Sequence, residues 1–436
     1  MGSVQKKIPL VIGYGITGKS LIEYLSEFHK ELILIEDSSD RINVKDFNDL
    51  GLNLHINPVI DDELFGRVSE IFSSPGIPTD HALFNLASKH QIRISSDIEI
   101  FIKGNPCVKI LVTGTNGKTS TSLILKNLFQ SYFPNLNIAA LGNIGVPVLD
   151  HLKENLDIAI IEVSSFQLEL LDNVKFDLGV LLNISQDHLD RHIDFQKYKE
   201  LKYLVLKNAS MGISFQSEKS FENRHRDYNE ISFSRELLRS SVFEHWPLHD
   251  IENLKASLTT LIAYCENISI DPPSEDGLQS FLEKAFKDFE KPAHRFEILE
   301  EYNGINFIND SKATNLDAML KAINAVDKLR KDSDIHLICG GDLKNQNLRE
   351  LDPQIIAKVK KAIIYGKDKL ILDSSFKNFT QCLLADDLEE ATEIAINESK
   401  TNDYVLLSPA CSSLDMFQDY AERGNAFKKL INNLNK

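Results

Sequence analysis

Paired cysteines, long apolar runs, internal repeats and an excess of basic side chains are all missing from this sequence of 436 residues. The five cysteines, Cys107, Cys265, Cys339, Cys382 and Cys411, are odd in number, far apart and form no C-x-x-C. That pattern argues for a reducing compartment and against a disulfide framework or a structural zinc site. No apolar stretch approaches the roughly 18–20 residues a spanning helix needs, and the run Ile8–Ile16 is broken by Gly13 and Gly15. The expectation is a soluble cytoplasmic protein without a membrane partner. Lysine and arginine number 48 against 64 aspartates and glutamates, a net charge of −16. Most of the surface repels a polyphosphate backbone, so nucleic acid is not an expected partner and anionic ligands must be held by local groups. No period of 20–50 residues and no low-complexity tract occurs, and no G-x-S-x-G or Cys/His set offers a nucleophile for covalent hydrolysis.

What is present is ordered. The apolar fraction of 42% and the charged fraction of 26% are those of globular chains, and this length predicts two to four domains. The first unit reads strand, glycine turn, helix, strand: Ile8–Ile12, then Gly13-Tyr14-Gly15-Ile16-Thr17-Gly18, a helical pattern to Lys30, and Glu31–Ile35 ending at Glu36 and Asp37. Ile71-Phe72 then ends in Ser73-Ser74-Pro75-Gly76, and Ile92–Lys103 leads out of the unit. A second unit starts with Val108–Val112, passes through Thr113–Gly117 into a helix that fades by Pro134, and continues with strands Ile158–Ile161 and Leu178–Leu182. Gln216–Ser241 is polar and reads as surface excursions or short edge strands. A third unit follows the break at Pro292; its strands Ile305–Ile308, His336–Cys339 and Tyr404–Leu407 each run into a polar loop. Leu316, Met319, Leu320, Ile323 and Val326 follow helical spacing, which predicts one face packed on a sheet. The expected architecture is α/β in three domains, 1–95, 96–293 and 294–436.

Loops that follow parallel strands carry ligands in such sheets. Gly13-x-Gly15-x-x-Gly18 fits a nucleotide-diphosphate fingerprint, with Glu36 near the ribose-binding acidic position; a tight turn before a packed helix is the alternative. Gly114-Thr115-Asn116-Gly117-Lys118-Thr119-Ser120 joins a strand to a helix as a shortened P-loop, with Val112 where the full pattern has glycine. Its backbone N–H groups and Lys118 predict a triphosphate site, and Thr119 a magnesium oxygen. Glu162 ends a strand where P-loop proteins place a metal-binding carboxylate; a capping role is the alternative. Asp187-His188-Leu189-Asp190-Arg191-His192 reads either as a metal or phosphate loop or as a solvated charged loop. Lys197, Lys199, Lys202 and Lys207 lie together after it, and composition selects none of them. Asp310, Lys312 and Lys344 sit in loops after strands, where the two lysines suit an anion. A nest, a lysine and magnesium are the parts of phosphoryl transfer. Three ligand edges on three units point to an ATP-driven joining reaction.

These residues, together with Leu141-Gly142-Asn143-Ile144-Gly145, Glu162–Gln167, His294-Arg295-Phe296-Glu297, Asn309–Asn315 and Ser408–Phe417, resemble the Mur ligases over nearly the whole chain. The resemblance is strongest to the branch that adds D-glutamate to UDP-N-acetylmuramoyl-L-alanine in peptidoglycan precursor synthesis. It implies a Rossmann-like N-terminal domain, a central P-loop ATPase-like domain and a Rossmann-like C-terminal domain in a cytoplasmic monomer. The implied chemistry uses ATP and Mg2+ to make an acyl phosphate that the amino acid attacks; sibling ligases and folate polyglutamate ligases share the ATP loop.

By the same resemblance, Gly114, Thr115, Asn116, Gly117, Lys118 and Thr119 cradle the ATP phosphates, and Asn253, Arg295 and Asp310 hold its nucleoside side. Thr119, Glu162, His188 and a carbamylated Lys202 are the implied metal ligands. Ile16 and Thr17 match the uracil side, and Asn143, Ser164 and Gln167 the muramoyl side. Lys312, Thr314, Lys344, Ser413 and Tyr420 match the D-glutamate site. Four places depart from the family pattern: Asp250 replaces a usual asparagine, Tyr420 a phenylalanine, Glu36-Asp37-Ser38 lacks an arginine, and Gln216–Ser241 has no counterpart.

Overall fold

The computed structural model describes residues 7–434 apart from 39–41, 44, 46, 48, 49, 79, 172, 188–190, 193, 216–223, 229–241, 244, 330, 331 and 345. The first sheet comprises β1 (Ile8–Ile12), β2 (Glu31–Ile35), β3 (Asn53–Ile56), β4 (Val68–Ser73) and β5 (Ile94–Ser95), in the order β3-β2-β1-β4-β5, all parallel. The second comprises β6 (Val108–Thr113), β7 (Ile138–Gly142), β8 (Ile158–Glu162), β9 (Phe176–Leu181), β10 (Ala209–Ser214) and β11 (Arg224–Asp227), in the order β11-β10-β9-β6-β8-β7, again all parallel. The third comprises β12 (Glu297–Ile298), β13 (Asn306–Asn309), β14 (Ile335–Gly340), β15 (Lys361–Tyr365), β16 (Gln381–Leu384) and β17 (Tyr404–Leu407), in the order β12-β13-β17-β14-β15-β16. There only β12 runs antiparallel to its neighbour.

The central strands are continuous apolar runs because helices cover both faces; every residue of β1 and β8 is buried. In each sheet the strand order reverses at one strand: β1 between β2 and β4, β6 between β8 and β9, β17 between β13 and β14. At such a switch point neighbouring connections part to opposite faces and leave a crevice at the strands' carboxyl ends. The loops that follow these three strands are Gly13–Gly15, Gly114–Gly117 and the start of Ser408–Phe417. Topology thus makes each of them a candidate ligand edge.

Several local expectations change. The first helix is Ile16–Ser26 and stops short of Lys30. Ile92–Lys103 resolves into β5 and the helix Asp97–Gly104, started by Ser96, whose hydroxyl accepts from the Glu99 N–H at 3.2 Å. Ile138–Gly142 is an edge strand whose alanines and terminal glycine gave too weak a β pattern to read. Within Gln216–Ser241 the edge strand β11 is present, and 216–223 and 229–241 lie outside the described residues. The helix Leu316–Leu329 buries Met319, Ile323 and Val326 as its periodicity requires. One apolar cluster runs through the first two units, from Val11 and Leu21 through Ile98 and Phe101 to Leu149, Ile161 and Val205. The third unit's two clusters draw on residues from Phe296 onward. Among the described residues no helix is long and apolar enough to cross a membrane.

Candidate active site

The loop after β6 has a shape only glycine permits. Gly117 has φ +84° and precedes the helix Lys118–Tyr132; a Cβ there would lie 2.4 Å from Asn253 Oδ1. No side chain caps that helix, so its first N–H groups stay open to an anion. Asn183, two residues past β9, clamps the loop: its Oδ1 accepts from Asn116 N at 2.9 Å and its Nδ2 donates to Asn116 O at 3.0 Å. Thr115 Oγ1 lies 2.9 Å from the Tyr198 hydroxyl and accepts from Ser185 N at 3.0 Å. Lys118 curls back, donating to the carbonyls of Gly114 at 2.9 Å and Thr115 at 2.8 Å. Burial lowers its proton affinity, opposed by Glu162 and Asp187.

Glu162 ends β8 almost fully buried, accepting from Thr119 Oγ1 at 2.7 Å and from Asn143 Nδ2 at 2.8 Å. A hydroxyl and a carboxylate this close, at the mouth of an anion loop, form the hard-oxygen set that magnesium takes. Lys202 is buried behind the loop, with Nζ 2.9 Å from the Gly114 carbonyl oxygen, 3.4 Å from Thr113 Oγ1 and 4.8 Å from the centre of the Tyr198 ring. Burial first, and the Lys118 charge next, hold it well below the ordinary lysine range. His188 lies outside the described residues. Among the described residues no three His, Cys, Asp or Glu side chains converge on a metal position.

One cleft of about 640 Å³ draws on all three units; Lys202 and Tyr198 lie behind the loop and are not part of its lining. Thr115, Asn116, Gly117, Lys118, Thr119, Asn143, Glu162, Ser164, Asn253, Arg295, Asp310, Lys312 and Thr314 all face it. Leu182, Phe215, Tyr228 and His249 add apolar and aromatic surface to its wall, suited to a base. There Asp250, the departure from the family's asparagine, pairs with Lys291 at 2.5 Å. From the third unit, Asp310 accepts from Phe296 N and Ser408 Oγ, each at 3.0 Å, while burial pushes its carboxyl up to about 7. Lys312 sits 3.8 Å from the centre of the Tyr420 ring, with Arg295 at 5.8 Å from the same centre. Burial, then repulsion from Arg295 and Lys118, lowers Lys312 to about 7.

Other expected residues stand back from the cleft wall. Gly114 contributes its carbonyl to the two lysines. Gln167 closes a capping box, its Oε1 accepting from Ser164 N at 2.9 Å. Lys344 has φ +49° and an N–H bonded to Asp342 Oδ1; its charge still reaches Lys312. Ser413 is buried, and its carbonyl accepts from Phe417 N at 2.8 Å. Ile16 and Thr17 open the first helix, Ile16 exposed. In that unit Glu36 turns inward: its carboxylate accepts from Tyr14 N at 2.7 Å and Ser38 N at 3.0 Å, which fixes the glycine turn. Pro75 and Gly76 carry the first unit to the cleft.

Sequence reasoning missed Asn183 as a clamp, Tyr198 beneath Lys202, and Arg423. Arg423 is fully buried and donates to Ser311 Oγ at 3.0 Å, Ser311 O at 2.8 Å and Cys411 O at 3.1 Å, tying the loop after β13 to the loop after β17. A lone arginine in an amphipathic helix gives no sign of this.

Known proteins share this arrangement. The family model of the Mur ligase MurD-like N-terminal domain matches residues 7–96, that of the Mur ligase middle domain 112–237, and that of the Mur ligase glutamate ligase domain 294–411. A UDP-N-acetylmuramoylalanine--D-glutamate ligase of Francisella tularensis subsp. holarctica is 32% identical over 438 residues, which span 97% of this chain and 95% of that protein. The MurF ligase of Thermotoga maritima, solved with ADP, superposes with a TM-score of 0.58 at 14% identity over 100% of this chain and 99% of its own. E. coli FolC, solved with DHPP and ADP, gives 0.56 at 14% identity over 83% of this chain and 100% of its own. At such identities the two structures speak to fold alone. Three domain matches in chain order and a near full-length relative at that identity place the sequence beyond a shared fold: this chain belongs to the Mur ligase family.

Proposed function

We propose that this chain is an ATP-dependent carbon–nitrogen ligase that adds D-glutamate to UDP-N-acetylmuramoyl-L-alanine, a step of peptidoglycan precursor synthesis, as a cytoplasmic monomer using magnesium. One observation carries the reading: the Gly114–Thr119 loop, the Thr119–Glu162 oxygens and the third-unit cations Arg295 and Lys312 share one cleft that the first unit reaches through Pro75 and Gly76. The name of the Francisella relative supports the choice of substrates. Domain limits at 95/96 and 293/294 accompany the reading; they fall just after β5 and just before β12.

In this reading the terminal carboxylate of the UDP substrate attacks the γ-phosphorus of ATP. The new C–O–P bond forms as the β–γ bridge breaks, and ADP leaves. The amine of D-glutamate then attacks the acyl carbon, losing a proton, and inorganic phosphate departs with the C–O electrons. Lys118 swings from its own loop carbonyls to the phosphates, and the open N–H groups of Gly114–Thr119 bind their oxygens. Thr119, Glu162, His188 and Lys202 are the residues that would hold magnesium, which would supply positive charge to offset that of the phosphates. The low proton affinity of Lys202 supports its carbamylation, since a neutral amine adds CO2, releases one proton and gains hard oxygen donors. Asn253, Arg295 and Asp310 hold the nucleoside. Ile16 and Thr17 take the uracil, and Asn143, Ser164 and Gln167 the muramoyl part. Lys312, Thr314, Lys344, Ser413 and Tyr420 orient the two carboxylates of D-glutamate and exclude water around the acyl phosphate.

The test is phosphate release from ATP and magnesium with UDP-N-acetylmuramoyl-L-alanine, comparing D-glutamate with L-glutamate, L-lysine, diaminopimelate and no amino acid. Release dependent on D-glutamate is expected. Release dependent on a different amino acid would overturn the D-glutamate assignment and leave the acyl-phosphate route intact.

A further inference from the structure

The third unit meets the ATP loop through polar groups, and one of them does more than its own helix requires. Asp317 lies in the first turn of the helix Leu316–Leu329 and bonds Lys321 one turn on, at 2.8 Å. A helix dipole and an i,i+4 pair explain a carboxylate there. They do not explain why the same oxygen, Oδ2, accepts from two donors of the central unit: Asn116 Nδ2 at 2.7 Å and Ser185 Oγ at 3.3 Å. Asn116 also exchanges hydrogen bonds with Asn315, which starts that helix: Asn116 Nδ2 to Asn315 Oδ1 at 3.3 Å, and Asn315 Nδ2 to Asn116 Oδ1 at 3.0 Å.

We propose that Asp317 is a positioning residue that latches the third unit onto the ATP loop through Asn116, so that the shape of the phosphate cradle and the docking of the amino-acid site are set together. Asn183 fixes the backbone of Asn116 on both its N–H and its carbonyl, which leaves the side-chain amide pointing out of the loop in a direction the loop's shape decides. The third unit then takes both the donor and the acceptor end of that amide. The Asp317 bond is charge-assisted and the strongest of the set. Among the described residues the third unit's apolar clusters hold none from the central unit, so polar contacts carry this junction. Docking in this register holds Lys312 and Arg295 against the cleft that Lys118 and Glu162 line from the other side.

The inference rests on the ligase reading for the role of docking, and its test separates the two. Small-angle X-ray scattering of the full chain with AMP-PNP and magnesium reads closure without turnover. The wild type is expected to be compact, Asp317→Ala more extended, and Asp317→Asn, which keeps an acceptor oxygen, between them. In turnover, Asp317→Ala is expected to raise the KM of the amine substrate ~10-fold or more and that of the UDP substrate less than about twofold. Asp317 is about one-third exposed, and a thermal melt verifies that the variant folds. Scattering and KM values of Asp317→Ala equal to those of the wild type overturn the proposal, as does Asp317→Asn faring no better than Asp317→Ala. If the wild type releases no phosphate with any amino acid, the ligase reading falls while the scattering still decides the latch.

Discussion

Lys118 and Lys202 donate to the same oxygen, the carbonyl of Gly114, each from 2.9 Å. Two ammonium groups on one buried carbonyl repel each other, and the more enclosed one yields its proton more readily. Burial lowers the proton affinity of both lysines, and at Lys202 the neighbouring Lys118 charge adds to it.

If Lys202 is the metal ligand proposed above, Lys202→Ala is expected to remove at least ~100-fold of the turnover. Formate or acetate at high concentration should restore part of it by supplying carboxylate oxygens. Mass spectrometry under CO2 should find 44 Da (the mass of CO2, ~44) on the wild type only; a wild type without the adduct removes carbamylation from the account.

Lys118→Ala is expected to abolish acyl phosphate, read as loss of hydroxylamine-trapped hydroxamate, with the fold retained. Turnover within about tenfold of the wild type would show that the loop's N–H groups suffice.

Lys312 carries a pH signature. Folded it titrates at about 7, against 10.5 for an ordinary lysine, so between those values the unfolded chain binds the extra proton and stability rises with pH. Below about 7 the cost of the buried charge is present in full. Lys312→Met should raise the melting temperature at pH ~6.5, and the gain should vanish by about pH 10. Binding of an anion to the wild type at about pH 8 should draw in a proton, seen by calorimetry as a heat that depends on the buffer, and Lys312→Met should abolish that dependence.

Asp97 gives the opposite sign. It is buried at the start of the helix joining the first two units, its Oδ1 has no hydrogen-bond partner, and burial raises its carboxyl from 3.8 to about 6. The folded state binds its proton more tightly, so stability falls as pH rises through that window and stays reduced above it. Asp97→Asn should gain on the order of 1–3 kcal/mol over the wild type at about pH 8 and little at about pH 4, in urea unfolding. An equal effect at both would remove the titration of Asp97 from the cause.

The parts of the site legible in the sequence are those whose chemistry is local. The glycine–lysine loop, Glu162 at a strand end and the loop around Lys312 all declare themselves by spacing, because a switch-point crevice needs small residues and polar side chains immediately after an apolar strand. Tyr198, Asn183 and Arg423 acquire meaning only from partners far along the chain: Tyr198 reaches back 83 residues to Thr115, and Arg423 spans 112 to Ser311. Glu36 was legible as an acid near a nucleotide turn but not as the group that uses its oxygens to hold that turn. The edge strand Ile138–Gly142 escaped for a different reason: its Ala139, Ala140 and Gly142 carry little β propensity, and its pairing with β8 supplies what they lack.

The apolar cluster that joins Val11 and Phe72 to Leu149 and Val205 also governs how the molecule is born. Chains emerge from the ribosome at ~5–20 residues per second, so the first unit's inner face waits roughly 5–20 seconds for the later half of its own core. During that interval Phe101 and its neighbours lack the partners from 139 to 209 that complete their cluster. The third unit's apolar clusters draw on residues from Phe296 onward, so its own core can assemble after the first two units have been made.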